Sequence, residues 1–125
     1  MGRVLVVDDE PDVLLLCRLN LQQRGHELLE ASEGSRALEL ARERHPDVIV
    51  LDLMMPGING YEVLEALQRD EATLDIPVLV LTAKSLSADR ERSHGLGAAA
   101  FLTKPFLPSE LCELVDSLVP AGGRT

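Results

Sequence analysis

Five polar side chains of this chain stand directly after short aliphatic runs. They are two adjacent aspartates, a third aspartate, a threonine and a lysine, namely Asp8, Asp9, Asp52, Thr82 and Lys104. Unbroken aliphatic runs of this length are typical of strands buried on both faces of a parallel sheet. Parallel strands present their carboxyl ends at one edge of the sheet, where ligands bind. If the strands are neighbours, three carboxylates, a hydroxyl and an ammonium converge there.

That combination favours phosphoryl chemistry. Three carboxylates this close repel one another, so some of them protonate or a cation binds. Oxygen ligands without a nearby histidine or cysteine favour a hard ion, and Mg²⁺ fits best. Mg²⁺ beside a carboxylate pair commonly holds a phosphoryl group. Lys104 suits a phosphate oxygen as a point charge, and Thr82 can donate a hydrogen bond to another oxygen.

Asp52 is the predicted acceptor of the phosphoryl group. The run Val48–Leu51 leads straight into it, and Pro56-Gly57 turn the chain soon afterwards. A buried, unpaired charge costs several kcal/mol or is neutralised by a pKa shift. Asp52 must therefore meet a cation or lie where the sheet opens to water. A carboxylate in that position can act as a nucleophile and become an aspartyl phosphate.

Strands and helices are predicted to alternate along the chain. The strands are Arg3–Val7, Glu27–Ala31, the run ending at Asp52, Ile76–Leu81 and Ala99–Leu102. The helices begin at Pro11, Gly34, just after Asn59, within Ser87–Gly95 as a short and loosely packed element, and at Pro108. Such alternation indicates an α/β fold with a parallel sheet, helices on both faces and right-handed crossovers.

Several residues are predicted to mark helix ends. Gly25 is expected to stop the first helix, and Ser32 to cap the second through its hydroxyl. Asn59 with Glu62 three residues later resembles a capping box. Leu107 occupies the cap position of the last helix and has no side-chain acceptor, which forgoes on the order of 1 kcal/mol.

Composition limits the class of protein. The 125 residues suit one domain, which we expect to span residues 1–119, with 120–125 as a tail or the start of a linker. The chain is 46% hydrophobic but only 2% aromatic, so the core must be aliphatic. The net charge of −9 argues against this domain itself binding nucleic acid or an anionic membrane.

The cysteines and histidines are not predicted to be functional. Cys17 and Cys112 fall within apolar helical patterns and are expected to be buried hydrophobes. His26, His45 and His94 lack metal-ligand spacing and are interpreted as surface or loop residues. No apolar run is long enough to span a membrane and the N-terminus lacks a signal peptide, so a cytoplasmic location is expected.

From about Val4 to Leu118 the sequence resembles a response-regulator receiver domain of two-component signalling. The motifs that carry the resemblance are Val-Val-Asp-Asp-Glu-Pro, Leu-Asp-Leu-Met-Met-Pro-Gly, Leu-Thr-Ala-Lys and Thr-Lys-Pro-Phe, in that order. The resemblance implies a doubly wound, flavodoxin-like sheet of five parallel strands in the order 2-1-3-4-5.

The resemblance also implies a role for each site residue. Asp52 matches the phospho-acceptor. Asp8 and Asp9 match the acidic pair, with Asp9 as the direct metal ligand, and the backbone carbonyl of Met54 matches the third protein ligand of Mg²⁺.

Further positions of the resemblance concern switching. Thr82 matches the switch hydroxyl, Lys104 the family's lysine and Phe101 the switch aromatic residue. Ala83 is small, as the family expects beside the phosphoryl group. The peptide bond before Pro105 is expected to be cis.

The implied mechanism is a phosphorylation switch. A histidine kinase or phosphotransfer protein offers a phosphohistidine, and Asp52 attacks in line while Mg²⁺ and Lys104 offset the charge. Thr82 then moves inward, Phe101 rotates, and the surface of the fourth helix, fifth strand and fifth helix changes for an output domain or effector partner. On this reading the domain is not an enzyme, since it takes part only in its own phosphorylation and dephosphorylation.

Two departures from the family pattern bear on regulation. Acidic residues that many transcription-regulator receivers use in a dimer interface are replaced here by Ala99 and Ala100. A homodimer through that face, another dimer mode and another partner therefore stay open. Met54 and Lys84 occupy the positions two residues past Asp52 and Thr82, which in the family influence how long the phosphoryl group lasts.

Three other functions compete with this interpretation. A haloacid-dehalogenase-type phosphatase needs a second aspartate two residues after the nucleophile, where this chain has Met54. A flavodoxin-like FMN carrier needs a phosphate-cradling loop where this chain has Asp-Asp-Glu, and aromatic residues where it has a single tyrosine. The third alternative is a receiver-like interaction module that works without phosphorylation.

Overall fold

The computed structural model describes residues 2–55, 60–82, 95 and 97–119. Five strands form one parallel sheet in the order β2-β1-β3-β4-β5. The strands are β1 (Arg3–Val7), β2 (Glu27–Ala31), β3 (Val48–Asp52), β4 (Val78–Thr82) and β5 (Ala100–Thr103). The helices of the described part are α1 (Pro11–Gln23), α2 (Gly34–Arg44), α3 (Gly60–Arg69) and α4 (Pro108–Leu118). The predicted fold class and strand order are confirmed.

The sheet separates two aliphatic cores. Helices α2 and α3 cover one face together with Ile49 and Leu51 of β3, and helices α1 and α4 cover the other together with Val50. This alternation follows from the pleat, which points successive side chains of a strand to opposite faces. Asp52 continues the series of Val50 and therefore belongs to the face of α1 and α4.

The central strands are buried along their length. Every residue of β3 and β4 is buried, which explains why both read as continuous aliphatic runs. Each fully buried Val, Leu or Ile side chain contributes about 1.5–3 kcal/mol relative to exposure. Strands held this firmly fix the residues at their carboxyl ends, Asp52 and Thr82.

Two of the predicted helix ends agree with the structure, and one does not. Gly25 ends α1 with a φ of 87°, a conformation that glycine adopts without steric cost. Leu107 is the N-cap of α4, and its backbone N–H donates to Glu110 instead, at 2.8 Å. The prediction for Ser32 was wrong, because the N-cap of α2 is Glu33 and no side chain caps that helix.

Two strand boundaries also differ from the prediction. β4 begins at Val78, since Pro77 lacks the N–H that a strand interior needs. The Pro77 carbonyl still accepts the Ile49 N–H at 3.0 Å. β5 is shifted one residue toward the C-terminus because Thr103 pairs with Thr82 at the end of β4. This pairing places both threonines at the edge where the site residues lie.

His26 lies in the loop between α1 and β2, as one of the two predicted alternatives had it, but it is buried rather than on the surface. Its side chain is 4% exposed, its Nδ1 accepts the Gly2 N–H at 3.1 Å, and its Nε2 lies 2.7 Å from Asp116 Oδ1. The imidazole therefore joins the start of β1 to α4. Cys17 and Cys112 are free and buried, as expected.

Some predictions lie outside the described residues. They concern the capping box at Asn59, the helix within Ser87–Gly95, the position of His94, and the tail 120–125. In the part of the chain that the structure describes, no helix has the length and apolar character required to cross a membrane.

Gly60, the first residue of α3, packs tightly against the backbone at the end of β3. A Cβ at this position would lie 2.4 Å from the Leu53 Cα and 2.6 Å from the Asp52 carbonyl oxygen, both backbone atoms. Gly60→Ala is therefore expected to lower the free energy of unfolding by about 1–3 kcal/mol. Urea denaturation followed by circular dichroism measures the change.

Gly95→Ala provides the matched control, because a Cβ there meets nothing within 4 Å. Equal stability of the Gly60 and Gly95 variants would contradict the tight contact at Gly60.

Candidate functional site

The turn after β1 buries one carboxylate and exposes the next. Asp8 is fully buried, and its backbone N–H donates to the Ala31 carbonyl at 3.1 Å. Its Oδ1 accepts the Glu10 N–H at 2.9 Å, which fixes the turn into α1. Asp9 is exposed on the surface of the same turn.

Asp52 is held at the carboxyl end of β3 by its backbone neighbours. The residue is 2% exposed, and its Oδ1 accepts the Met54 N–H at 2.9 Å. The Leu53 carbonyl accepts the Gly60 N–H at 3.1 Å, so the start of α3 packs behind the carboxylate. The exposed Met54 thus lies with its backbone beside Asp52, the position from which its carbonyl is predicted to bind a metal.

Lys104 brings the carboxylates together. Its Nζ lies 2.9 Å from Asp8 Oδ2, 3.0 Å from Glu10 Oε1 and 3.2 Å from Asp52 Oδ2. The Lys104 backbone N–H donates to the Thr82 carbonyl at 2.7 Å, which ties the loop after β5 to the end of β4. The Lys104–Pro105 bond is cis, as the resemblance implied.

Burial and charge act against each other in this cluster. Burial raises the pKa of Asp52 above its ordinary value, while the Met54 N–H and the Lys104 ammonium oppose that shift. Burial disfavours the Lys104 ammonium, but its contacts with Asp8 and Glu10 outweigh burial and raise the pKa of Lys104. Lys104 is therefore charged at neutral pH, and its positive charge balances the negative charge of one of the three carboxylates around it.

Thr82 and Phe101 lie on the opposite face of the sheet from Asp52. Thr82 is buried at the end of β4 and continues the series of Val80, which belongs to the core under α2 and α3. Phe101 pairs with Val80 in the register and packs against the same core. The structure therefore places the two predicted switch residues on one face.

The acidic cluster fits a hard divalent cation. Oxygen atoms of Asp8, Glu10 and Asp52 all lie within 4.8 Å of one another. Asp8 Oδ2 is buried, and its ion-pair partner is Lys104 Nζ at 2.9 Å. A donor set made only of carboxylate oxygens suits Mg²⁺. Asp9 is not in this group, so its role as a direct ligand stays a prediction.

Glu10 is the residue of the cluster that the sequence interpretation missed. It stands next to the acidic pair and directly before Pro11, which begins α1. A residue between a buried carboxylate and the first turn of a helix is held close to the strand end. Its acidic side chain was the available signal.

Comparison with known proteins identifies the family. The model of the response regulator receiver domain matches residues 4–116. The chain is 40% identical over 119 residues to the DNA-binding dual master transcriptional regulator RpaA of Synechocystis, covering 95% of this chain and 49% of RpaA. The chain thus spans about half the length of that relative.

Solved structures give the same result. The chemotaxis protein CheY4 of Vibrio cholerae matches with a TM-score of 0.90 and 30% identity, over 95% of this chain and 99% of that one. The receiver domain of the sensor histidine kinase PA1611 of Pseudomonas aeruginosa, solved with a magnesium ion in its active-site cleft, matches with a TM-score of 0.85 and 26% identity, over 94% and 96%. The chain belongs to the response-regulator receiver family, whose members switch on phosphorylation.

Proposed function

We propose that Asp52 accepts a phosphoryl group from the phosphohistidine of a sensor histidine kinase or phosphotransfer protein. The observation that carries this proposal is the ammonium of Lys104, which lies within 3.2 Å of both Asp8 and Asp52. A cation placed between two buried carboxylates at a sheet edge is suited to the charge that develops during phosphoryl transfer.

The contacts of the Asp52 carboxylate fix its orientation, as a nucleophile requires. The Met54 N–H fixes one carboxylate oxygen, while the other lies toward Lys104. Attack forms a bond between a carboxylate oxygen and phosphorus and breaks the bond from phosphorus to the donor nitrogen. Lys104 is positioned to offset the charge on the phosphoryl oxygens, and Thr82 to donate a hydrogen bond from the neighbouring strand end.

Mg²⁺ is the proposed cofactor. Asp8, Asp9, Asp52 and the backbone carbonyl of Met54 would hold it, and its charge would offset that of the phosphoryl group. The excess of three gathered carboxylates over the single Lys104 ammonium supports a further cation at this place. The magnesium ion in the cleft of the PA1611 receiver supports the same choice.

Signal output is proposed to start on the opposite face of the sheet and to extend around the edge strand β5 to α4, which covers the face of Asp52. Thr82 and Phe101 share that face, so a movement of the hydroxyl toward the phosphoryl group opens space beside the aromatic ring. The surface formed by β5, α4 and the segment before β5 would then bind an output domain or effector protein. Ala99 and Ala100 make part of this surface uncharged, which suits a homodimer without the family's acidic contacts.

A receiver-like interaction module that works without phosphorylation is the second candidate. Such a module has no need of a buried acceptor with an aligned lysine, and the gathered cluster therefore disfavours it. A phosphatase of the haloacid dehalogenase type is disfavoured by Met54, whose side chain cannot act as the required second acid. In the proposed function, the domain takes part only in its own phosphorylation and dephosphorylation and is not an enzyme that acts on another substrate.

Phosphorylation of Asp52 is directly measurable. Incubation with Mg²⁺ and phosphoramidate is expected to add one phosphoryl group to the intact protein, as read by mass spectrometry. Asp52→Asn and omission of Mg²⁺ should each abolish the gain, since one removes the nucleophile and the other the cation.

The two negative outcomes differ in meaning. No gain in the parent protein and no Mg²⁺ binding by calorimetry would support the interaction module. A gain of equal size in Asp52→Asn would place the acceptor elsewhere.

The raised pKa of Asp52 predicts a dependence of stability on pH. An acid whose pKa is raised on folding favours the folded state when protonated and disfavours it when ionised. In Mg²⁺-free buffer, Asp52→Asn should therefore raise the Tm at pH 7, and the gain should shrink as the pH falls through the folded-state pKa. For a domain of this size each kcal/mol corresponds to roughly 3–6 °C.

Thermal unfolding over a pH series measures this effect. Glu71→Gln is a suitable control because Glu71 is exposed and the substitution also removes one negative charge. A lower Tm for Asp52→Asn at pH 7 would show that the contact with Lys104 outweighs burial, and would contradict the prediction.

A further inference from the structure

We propose that Glu10 is a positioning residue for Lys104. Its carboxylate holds the ammonium at the mouth of the acceptor site while the buried partners of that ammonium change their bonding. This inference rests on the proposed function, because Lys104 is the residue that is to meet the phosphoryl group.

The three partners of Lys104 differ in their surroundings. The side chains of Asp8 and Asp52 are 0% and 3% exposed, whereas that of Glu10 is 59% exposed. Glu10 therefore reaches the ammonium from the solvent side, opposite the two buried carboxylates. The Lys104 Nζ donates a hydrogen bond to Glu10 Oε1 at 3.0 Å and another to Asp52 Oδ2 at 3.2 Å.

The backbone of Glu10 is fixed before its side chain makes this contact. Its N–H donates to Asp8 Oδ1, and its carbonyl accepts the N–H groups of Val13 and Leu14 at 3.1 and 3.2 Å. Pro11 restricts the preceding residue to extended backbone, and Glu10 has a φ of −88° and a ψ of 116°. Only side-chain torsions are left to be ordered, so the contact costs side-chain entropy but no further backbone entropy.

The contact also joins two separate segments. Glu10 belongs to the turn between β1 and α1, and Lys104 to the loop between β5 and α4. Together with Val13, Leu16 and Phe106 they line a cavity of about 400 Å³. Asp12 also lines this cavity, but among the described residues the carboxylates within 4.0 Å of the Lys104 ammonium are those of Asp8, Glu10 and Asp52, so Glu10 is its partner on the cavity side.

The roles of the three carboxylates follow from their placement. In the proposed function, Asp52 becomes an acyl phosphate and Asp8 serves the metal. Both lose their resting contact with Lys104 as the site is loaded. Glu10 is neither the acceptor nor one of the ligands of the proposed function, although its oxygen lies in the acidic cluster, so on this proposal it is the partner that stays with Lys104 throughout.

Phosphorylation rates at saturating Mg²⁺ test this role. An exposed ion pair of this kind is worth about a two- to fivefold change in rate. Glu10→Gln keeps the length and removes the charge, whereas Glu10→Asp keeps the charge and is one methylene too short for the contact. Both are expected to slow phosphorylation by phosphoramidate two- to fivefold, with the Mg²⁺ half-saturation concentration changed by less than threefold.

Glu33→Gln is the matched control. Glu33 is also an exposed N-cap residue that follows a strand, but its carboxylate contacts Ser35 at 3.1 Å and does not belong to the acidic cluster. Its variant removes the same charge from the same kind of position and should leave the rate unchanged.

Lysine labelling gives a second readout in Mg²⁺-free protein. The chain has two lysines, Lys84 and Lys104, so Lys84 serves as an internal reference. Brief acetylation followed by peptide mass spectrometry should show two- to fivefold more labelling of Lys104, relative to Lys84, in Glu10→Gln and Glu10→Asp. The Glu33 variant should match the parent.

Each contrary outcome has a distinct meaning. Unchanged rates and labelling in both Glu10 variants would overturn the positioning role alone. A tenfold weaker Mg²⁺ half-saturation with an unchanged maximal rate would make Glu10 a metal ligand and also overturn it. A parent protein that takes up no phosphoryl group would overturn the proposed function, and this inference with it.

Discussion

The contact of one ammonium with three carboxylates is the interaction on which the site depends. Lys104 offsets a single negative charge, so the cluster keeps an excess of negative charge in a largely buried place. Like charges at this separation raise the free energy of the folded state unless a cation relieves them. The aliphatic core has to supply enough stability to hold them together, and β3 and β4 are buried along their whole length. The site thus lowers the stability of the folded state locally, and the aliphatic core of the sheet compensates for this loss.

Much of the fold could be predicted because its signals are local. Aliphatic runs fixed the strands to within two residues, and Gly25 marked a helix end through its positive φ. The strand order came from the family resemblance, since alternation alone does not say which strands are neighbours. The errors arose where tertiary contacts decide. Ser32 has a capping side chain but lies one residue before the observed cap, and His26 is buried by partners distant in sequence, Gly2 and Asp116.

The residues of the candidate site also fall into some that the sequence predicts and some that it does not. Asp8, Asp52, Thr82 and Lys104 were predictable because each follows a strand, and parallel strands bring such residues to one edge. Glu10 was not, because its part in the cluster depends on the direction of a flexible side chain rather than on a strand end. Asp9 shows the reverse, since its position in the motif is clear but its side chain is not among the gathered carboxylates. Spacing predicts which backbone positions meet, and less well which side-chain atoms do.

The pleat of the sheet has a consequence for how such a domain diversifies. Asp52 belongs to the side covered by α1 and α4, whereas Thr82 and Phe101 belong to the side covered by α2 and α3. In the proposed function, the acceptor and the switch residues therefore belong to different cores and meet only at the edge where β3 and β4 end. A substitution inside one aliphatic core can thus leave the packing of the other unchanged, because the two cores share no side chain among the described residues. A substitution at the shared edge, in contrast, affects both.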